Sequence, residues 1–333
     1  MRAVLLKAQG SVETGDRLEL VELPDPEPGP GQVRIRIHAC GICHTDLHEV
    51  EGDLAAPRLP VIPGHQIVGV IDALGDGVSG RLLGQRVGLP WLYSACLECR
   101  YCENERENLC EQGRFTGWHE HGGYAEYVLA EAGFVYSIPD GFDDLQAAPL
   151  LCGGVIGYRA LRLSEIRPGG RLGLYGFGNS AHVAIQVANH WGCESYVFTR
   201  SEEHRRHALE LGAVWAGGAQ DDPDAAMDAS IIFAPAGPLV HDALRALDRG
   251  GTLALAGIHM SPIPEMDYQL LYGERTVRSV ANATRRDARE LLELAAAIPI
   301  RTDVETYSLE QCNEVMRRLK RSEIRGGAVF QIS

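Results

Sequence analysis

Four cysteines crowded into a short loop are the feature that most limits what this chain can fold into. Cys96, Cys99, Cys102 and Cys110 follow the spacing C-x2-C-x2-C-x7-C, and thiolates at these separations can close a tetrahedral shell around Zn²⁺. The loop between them is polar and acid-rich and has no apolar core, so a metal ion would supply its cross-links. Because four protein ligands leave no open coordination position, the spacing predicts a structural zinc site.

Clustered cysteines also occur in iron–sulfur proteins, zinc ribbons and disulfide frameworks. An iron–sulfur cluster has similar ligand spacing, but it usually has a proline after the last cysteine, where this chain has Glu111. A nucleic-acid-binding zinc ribbon would need basic clusters in the loop. A disulfide framework is disfavoured because the nine cysteines are odd in number and strongly bunched. Cys40, Cys193 and Cys312 are interpreted as ordinary buried thiols.

Length and charge narrow the class of protein. The 333 residues correspond to about two domains. The 31 basic and 45 acidic side chains give a net charge of −14, which disfavours a nucleic-acid partner. The first ten residues lack the pattern of a signal peptide, and the longest apolar stretch, 291–298, is far shorter than the roughly 20 residues of a membrane span. These features predict a soluble cytoplasmic protein with no membrane partner.

The two halves of the chain differ in pattern. Up to about Pro149, alternation at 33–37 and 67–73, with Pro and Gly clusters between, predicts short antiparallel strands. From about Leu151, strands alternate with helices, which predicts a doubly wound parallel α/β sheet. Predicted strands are 171–175, 196–198, 231–234, 253–256, 277–280 and 328–332, and predicted helices are 181–190, 202–211, 239–247, 287–297 and 309–320.

A glycine-rich turn follows the first of these strands. The sequence Gly176-Phe177-Gly178-Asn179-Ser180-Ala181 fits G-x-G-x-x-G/A and opens a predicted helix. Backbone N–H groups at such a helix start hold the pyrophosphate of a dinucleotide. The pattern predicts that Gly176, Gly178, Asn179 and Ser180 bind a nicotinamide cofactor.

The end of the second strand bears on which cofactor is bound. An NAD-binding domain usually has Asp or Glu about 20 residues after the turn, whereas this chain has Thr199, Arg200 and Ser201, followed by Arg205. Two guanidinium groups and two hydroxyls suit a ribose 2′-phosphate, so NADP(H) is favoured over NAD(H). The alternative is that both arginines are solvated and the site takes NAD(H).

A second set of candidate metal ligands carries a family resemblance. Cys43 and His48 lie in Ala-Cys-Gly-Ile-Cys-His-Thr-Asp-Leu-His, His65 lies in Pro-Gly-His-Gln, and Cys152 lies in Leu-Leu-Cys-Gly-Gly. Together with the four-cysteine loop and the glycine turn, these segments resemble the zinc-dependent medium-chain alcohol dehydrogenases of bacterial type over essentially the whole chain. The resemblance implies a GroES-like, β-rich catalytic domain at 1–153 and 285–333 and a Rossmann dinucleotide-binding domain at 154–284.

The resemblance also implies roles for individual residues. Cys43, His65 and Cys152 would ligate a catalytic zinc, giving two zinc ions per chain. Thr45 would take the proton of the alcohol and pass it through the cofactor ribose to His48. Asp46 would fix His65 in its metal-binding tautomer. Trp91 would line the substrate pocket. Two residues depart from the family pattern. Gln66 stands where Glu usually follows the zinc histidine, and Ile156, four residues after Cys152, stands where relatives often have Thr beside the nicotinamide.

The implied function is hydride transfer between a nicotinamide cofactor and primary or small secondary alcohols, which are interconverted with aldehydes or ketones. A zinc-independent quinone or enoyl reductase of the same fold is the first alternative, and the candidate zinc ligands count against it. A polyol dehydrogenase is the second, and an apolar wall at Trp91 counts against it. Relatives of this length imply a homodimer or a homotetramer with a small alcohol or aldehyde as partner.

Overall fold

The computed structural model describes residues 1–298 and 300–333, which divide into two compact units. Unit 1 comprises Met1–Cys152 and Thr284–Ser333, and unit 2 is Gly153–Ala283. The chain therefore leaves unit 1 after Cys152 and returns to it at Thr284. Among the described residues, none of the helices combines the length and the apolar character that a bilayer crossing requires.

The first segment of unit 1 is built mainly of short strands. In chain order its elements are β1 (Arg2–Leu6), β2 (Leu18–Glu22), β3 (Gln32–Ile42), α1 (His44–Glu51), β4 (Gln66–Leu74), β5 (Arg86–Leu89), β6 (Leu92–Ser94), β7 (Arg114–Phe115), β8 (Tyr127–Glu131), β9 (Tyr136–Ser137) and α2 (Asp144–Ala147).

Unit 2 alternates helices and strands. Its elements are α3 (Gly153–Leu163), β10 (Arg171–Tyr175), α4 (Asn179–His190), β11 (Glu194–Phe198), α5 (Glu202–Glu210), β12 (Trp215–Gly217), β13 (Met227–Ile232), α6 (Leu239–Ala246), β14 (Leu247–Leu255) and β15 (Thr276–Ser279). The chain then re-enters unit 1 as α7 (Arg285–Ala297), β16 (Val304–Tyr307), α8 (Cys312–Lys320) and β17 (Gly327–Gln331).

A seven-stranded sheet organises unit 1. Its order is β16-β17-β3-β4-β5-β9, and β8 also pairs with β3. The pairs that β3 makes with β17, β4 and β8 are antiparallel, while β16 and β17 run parallel. Val33, Ile35 and Ile37 alternate along β3 and are fully buried, so the predicted alternation marks the strand at the centre of this core.

The sheet of unit 2 has the predicted doubly wound form. Its order is β12-β11-β10-β13-β14-β15, and every neighbouring pair is parallel. The strand order reverses between β10 and β13, and ligands of such sheets bind outside the carboxyl ends of the strands at this reversal. Gly176 follows β10 directly, so the glycine turn occupies that position.

Several helices and strands begin or end at residues other than the predicted ones. β14 begins at Leu247 although the predicted strand begins at 253, because the polar residues 248–250 hide the pairing of Leu247 with Met227. β13 ends at Ile232, before the end of the predicted strand 231–234. The predicted helix 309–320 begins as a 3₁₀ turn, Leu309–Gln311, before α8. Helix α3 was not predicted, because its glycines conceal the helical period.

Candidate functional site

The N-terminus of α1 fixes two candidate site residues. Cys43 is the N-cap residue, and its Sγ accepts a hydrogen bond from the Thr45 amide at 3.4 Å. Asp46 returns the capping interaction, because its Oδ2 accepts from the Cys43 amide at 2.8 Å. This capping box locks both side chains at a helix end whose dipole favours negative charge.

The structure brings Cys43, His65 and Cys152 together from three segments of unit 1. Cys43 Sγ lies 3.4 Å from His65 Nε2 and 3.9 Å from Cys152 Sγ, and all three donor atoms lie within 4.8 Å of one another. With bonds of about 2.3 Å to sulfur and about 2.0 Å to nitrogen, tetrahedral zinc ligands are about 3.5–3.8 Å apart. The three side chains therefore fit a zinc ion without rearrangement.

The protonation of Cys43 and His65 would be coupled to metal binding. The hydrogen bond with Cys152, followed by burial, raises the pKa of Cys43 well above its usual value. Burial lowers the pKa of His65, but Asp46 and Cys43 more than reverse this, and the pKa lies well above the usual range. All three groups ligate a metal only when deprotonated, so a divalent cation would displace protons here and its affinity would fall with falling pH.

Asp46 and Trp91 hold the imidazole ring of His65 from two sides. His65 Nδ1 lies 3.2 Å from Asp46 Oδ1, and both side chains are buried. The contact is within ion-pair distance but lacks the geometry of a full hydrogen bond. The Trp91 ring meets the His65 ring edge-on at 4.9 Å. His65 therefore turns Nδ1 toward Asp46 and Nε2 toward Cys43.

Thr45 and His48 lie on one face of α1, three residues apart. Thr45 is buried. His48 Nδ1 lies 2.8 Å from Asp53 Oδ2, and the His48 side chain is 21% exposed. A buried hydroxyl and a partly exposed imidazole thus lie on the same face of α1.

The four cysteines of the loop Cys96–Cys110 also converge. Cys102 Sγ lies 3.8 Å from Cys96 Sγ and 3.6 Å from Cys99 Sγ, and Cys110 Sγ lies 3.5 Å from Cys96 Sγ. All four sulfur atoms lie within 4.8 Å of one another. The amide of Cys102 lowers the pKa of Cys99 to about 7, whereas burial raises the pKa of Cys102. This donor set fits a four-coordinate zinc ion.

The glycine turn of unit 2 has the form that a dinucleotide needs. Gly176 has φ of +87°, and a Cβ there would lie 3.0 Å from Ala234, so a side chain would be both strained and crowded. Gly178 is the N-cap of α4, and Asn179 and Ser180 are its first residues. The first amides of α4 are therefore available to an anion.

The segment after β11 is only partly open. Thr199 is buried, and its carbonyl accepts from Arg205 Nε at 2.9 Å. Arg205 also pairs with Glu202 at 2.7 Å, and Ser201 caps α5 by accepting from the His204 amide. Arg200 is exposed. Of the two predicted guanidinium groups, one is thus already paired with a carboxylate that is 84% exposed.

Two features of unit 1 near Asp46 and Trp91 were not predicted. Glu49 is 1% exposed, and neither carboxylate oxygen has a hydrogen-bond partner among the described residues. Its position three residues after Asp46 on α1 was the available signal. Phe115 stacks on Trp91 at 5.2 Å, and His119 packs on Phe115 at 5.5 Å. Sequence alone gave no reason to join these rings in one aromatic row.

Comparison with known proteins adds independent information. Residues 29–140 match the alcohol dehydrogenase GroES-like domain, and residues 180–297 match the zinc-binding dehydrogenase domain. The chain is 46% identical to a probable alcohol dehydrogenase, AdhA, of Mycobacterium tuberculosis, over 100% of this chain and 97% of that protein. It is 38% identical to an alcohol dehydrogenase of Geobacillus stearothermophilus, over 98% of this chain and 99% of that protein.

A solved structure confirms the predicted pairing of a GroES-like domain with a Rossmann domain. A cinnamyl alcohol dehydrogenase of Sorghum bicolor superposes with a TM-score of 0.89 at 27% identity, covering 98% of this chain and 97% of that chain.

Proposed function

The chain belongs to the family of zinc-type medium-chain alcohol dehydrogenases, and we propose that it interconverts alcohols with aldehydes or ketones by hydride transfer with a nicotinamide cofactor. The convergence of Cys43, His65 and Cys152 carries this proposal. Three ligands leave one coordination position for the substrate, which is the arrangement of a catalytic rather than a structural zinc site.

The two thiolates and the neutral imidazole would balance the charge of a bound Zn²⁺. A zinc ion in this donor set supplies Lewis acidity, which makes an alcohol hydroxyl easier to deprotonate at neutral pH. The four-cysteine loop would hold the second, structural zinc ion, because its donor set leaves no position for a substrate.

The remaining side chains of α1 would handle the proton and orient His65. The hydroxyl of Thr45 would take up the proton released from the alcohol while releasing its own. His48, beside the carboxylate of Asp53 at 2.8 Å, would deliver it to solvent. Asp46 would hold His65 Nδ1 at 3.2 Å so that Nε2 faces the metal.

The cofactor would be NADP(H) in preference to NAD(H). The absence of Asp or Glu directly at the end of β11 and the presence of Arg200 support this preference. The Glu202–Arg205 pair is no strong obstacle, because an exposed ion pair is worth only about 0–1 kcal/mol. A 2′-phosphate would compete with Glu202 for the guanidinium of Arg205.

The preference predicts a selective effect of Arg200→Ala. This change should lower kcat/KM for NADP⁺ about tenfold or more, because a charge-assisted contact to the phosphate is lost, and should leave kcat/KM for NAD⁺ nearly unchanged. Arg206→Ala, at an exposed position of α5, is the matched control. A wild-type protein that prefers NAD⁺ in steady-state kinetics would refute the preference.

The substrate would be a primary or small secondary alcohol with an apolar body. The aromatic row that begins at Trp91, next to His65, supports this class over polyols. Assembly as a homodimer or homotetramer and residence in the cytoplasm stay predictions.

Replacing one ligand tests the reaction itself. Cys152→Ser should reduce alcohol oxidation more than about 100-fold, since even residues behind the ligands are worth about 10–100-fold, and should remove about one zinc per chain. Cys193→Ser, at a buried cysteine of unit 2, should keep turnover and metal. Full activity of Cys152→Ser, or a purified protein with much less than two zinc ions per chain, would contradict the proposal.

A further inference from the structure

The four-cysteine loop contains a buried carboxylate that reaches beyond the loop. Glu107 lies three residues before Cys110, in a 3₁₀ turn, and is 3% exposed. Its Oε1 accepts hydrogen bonds from the Arg285 amide at 2.7 Å and from Arg285 Nε at 3.3 Å. Through Glu107 the four-cysteine loop therefore binds Arg285, which lies 178 positions later in the chain.

Arg285 is the first residue of α7 and comes directly after Thr284, where the chain returns to unit 1. The first amides of a helix have no partner within the helix. The capping box of α7 joins Thr284 and Asp287 and satisfies the Asp287 amide. The capping box does not bind the Arg285 amide, which donates its hydrogen bond to Glu107 instead. A carboxylate at this end also complements the helix dipole.

Other contacts of the same turn are weaker. The Arg285 guanidinium lies over the Phe134 ring at 5.3 Å. Arg286 pairs with Glu105 of the loop at 3.5 Å, but both side chains are about half exposed or more, and such pairs contribute little. The buried Glu107 contact is therefore the main bond between the loop and the first turn of α7.

The position of Glu107 depends on its neighbour Cys110. The Glu107 carbonyl accepts from the Cys110 amide at 3.1 Å, so a metal ion that fixes Cys110 also fixes the backbone that carries Glu107. The other passage, in which the chain leaves unit 1, begins at Cys152, which belongs to the second group of candidate metal ligands. Both passages of the chain thus adjoin residues of a candidate metal site.

We propose that the metal-loaded four-cysteine loop is a clasp that holds the first turn of α7 through Glu107 and so fixes the return of the chain into unit 1. The clasp rests on the proposed zinc site in this loop but not on the reaction. Loss of the metal loosens Cys110, withdraws Glu107 from Arg285 and frees the first turn of α7.

The first turn of α7 offers a direct readout, because Arg285 and Arg286 are both trypsin sites. In the zinc-loaded wild type we expect slow cleavage there and slow amide exchange at 285–288. Glu107→Ala should speed both about tenfold or more, the effect of losing a hydrogen bond to a charged group. Glu107→Gln, which keeps an accepting oxygen, should lie between the two.

Two further variants complete the experiment: one is a control for a surface substitution in the loop, and the other removes the metal. Glu103→Ala, at an exposed position of the same loop, should behave like wild type. Cys99→Ser, or chelation of the wild type, should reproduce the loosening at 285–288. Equal cleavage and exchange in Glu107→Ala and Glu103→Ala would overturn the clasp.

Removing the metal from the wild type tests the proposal even if Glu107→Ala does not fold. Chelated wild type that stays protected at 285–288, while its zinc content falls, would refute the link between metal and helix. A loop that holds no zinc at purification would instead refute the proposed structural site, and the comparison of Glu107→Ala with Glu103→Ala would still test the contact.

Discussion

The surroundings of Glu49 are unfavourable for a charged carboxylate. It is buried on α1, one turn after Asp46, and its carboxylate oxygens have no hydrogen-bond partner among the described residues. Burial raises the pKa of Glu49 well above its usual value of 4.5, and the charge of Asp46 adds in the same direction. The folded protein therefore keeps the proton of Glu49 to a higher pH than the unfolded chain does.

This difference gives stability a pH dependence of known sign. Below pH 4.5 the proton is present in both states. As the pH rises above that value the unfolded chain ionises first, so the free energy of unfolding falls until the pH passes the folded pKa. Glu49→Gln removes the ionisation. The variant should gain stability relative to wild type as the pH rises above 4.5, and the gain should grow until the pH passes the folded pKa of Glu49.

Thermal unfolding at several pH values checks this prediction. Glu22→Gln, at an exposed position of β2, should show no such gain. A Glu49→Gln variant whose stability relative to wild type is independent of pH would show that Glu49 is ionised in the folded protein.

The packing of α3 against α4 shows how a helix can be hidden in a sequence. A Cβ at Gly157 would lie 2.5 Å from the Ser180 carbonyl oxygen, so only glycine lets the two helices approach this closely. The same glycine lowers helical propensity, which is why the sequence did not predict α3. Tertiary packing, rather than local preference, sets this residue.

Gly157→Ala therefore tests packing against propensity. Helix propensity alone predicts a gain of about 0.5–1 kcal/mol on replacing glycine by alanine inside a helix. We expect a loss of about 1–3 kcal/mol instead, because the backbone of α4 must shift. Gly133→Ala, where a Cβ meets nothing within 4 Å, is the control for denaturant unfolding. A stabilised Gly157→Ala variant would mean that the helices separate at little cost.

The elements that sequence did predict are those whose pattern is local. The alternation at 33–37 marks β3, and the order of strand, glycine turn and helix marks β10 and α4. The spacing of the four cysteines is local too, and their sulfur atoms do converge. Glu107 and Arg285 could not be paired from sequence, because 178 positions separate them and each belongs to a local pattern that is complete without the other.

The metal-binding groups are unevenly divided over the molecule. Both groups of candidate ligands found among residues 1–298 and 300–333 lie in unit 1, in the segment Met1–Cys152. Unit 2 has an apolar core of its own, which includes Tyr175, Phe198 and Leu253. The two units should therefore respond differently to metal removal, since a bound ion stabilises only the part that holds it.

Hydrogen exchange in the presence of a chelator measures this difference. Peptides from 92–115 and from α1 should lose protection, whereas peptides from β10 and β11 should keep it. Cofactor addition should do the reverse and protect unit 2. Equal loss of protection in both units on chelation would show that the molecule unfolds as a single cooperative body.

The return of the chain to unit 1 has a consequence for how the protein is made. Strand β3 pairs with β17, so that Ile42 lies opposite Ala328, and the whole of unit 2 is synthesised between these partners. At a translation rate of about 5–20 residues per second, β3 waits on the order of 15–60 s for β17 to emerge from the ribosome. During that interval its apolar side chains and one hydrogen-bonding edge lack their final cover, and this nascent stage is where chaperones would be needed most.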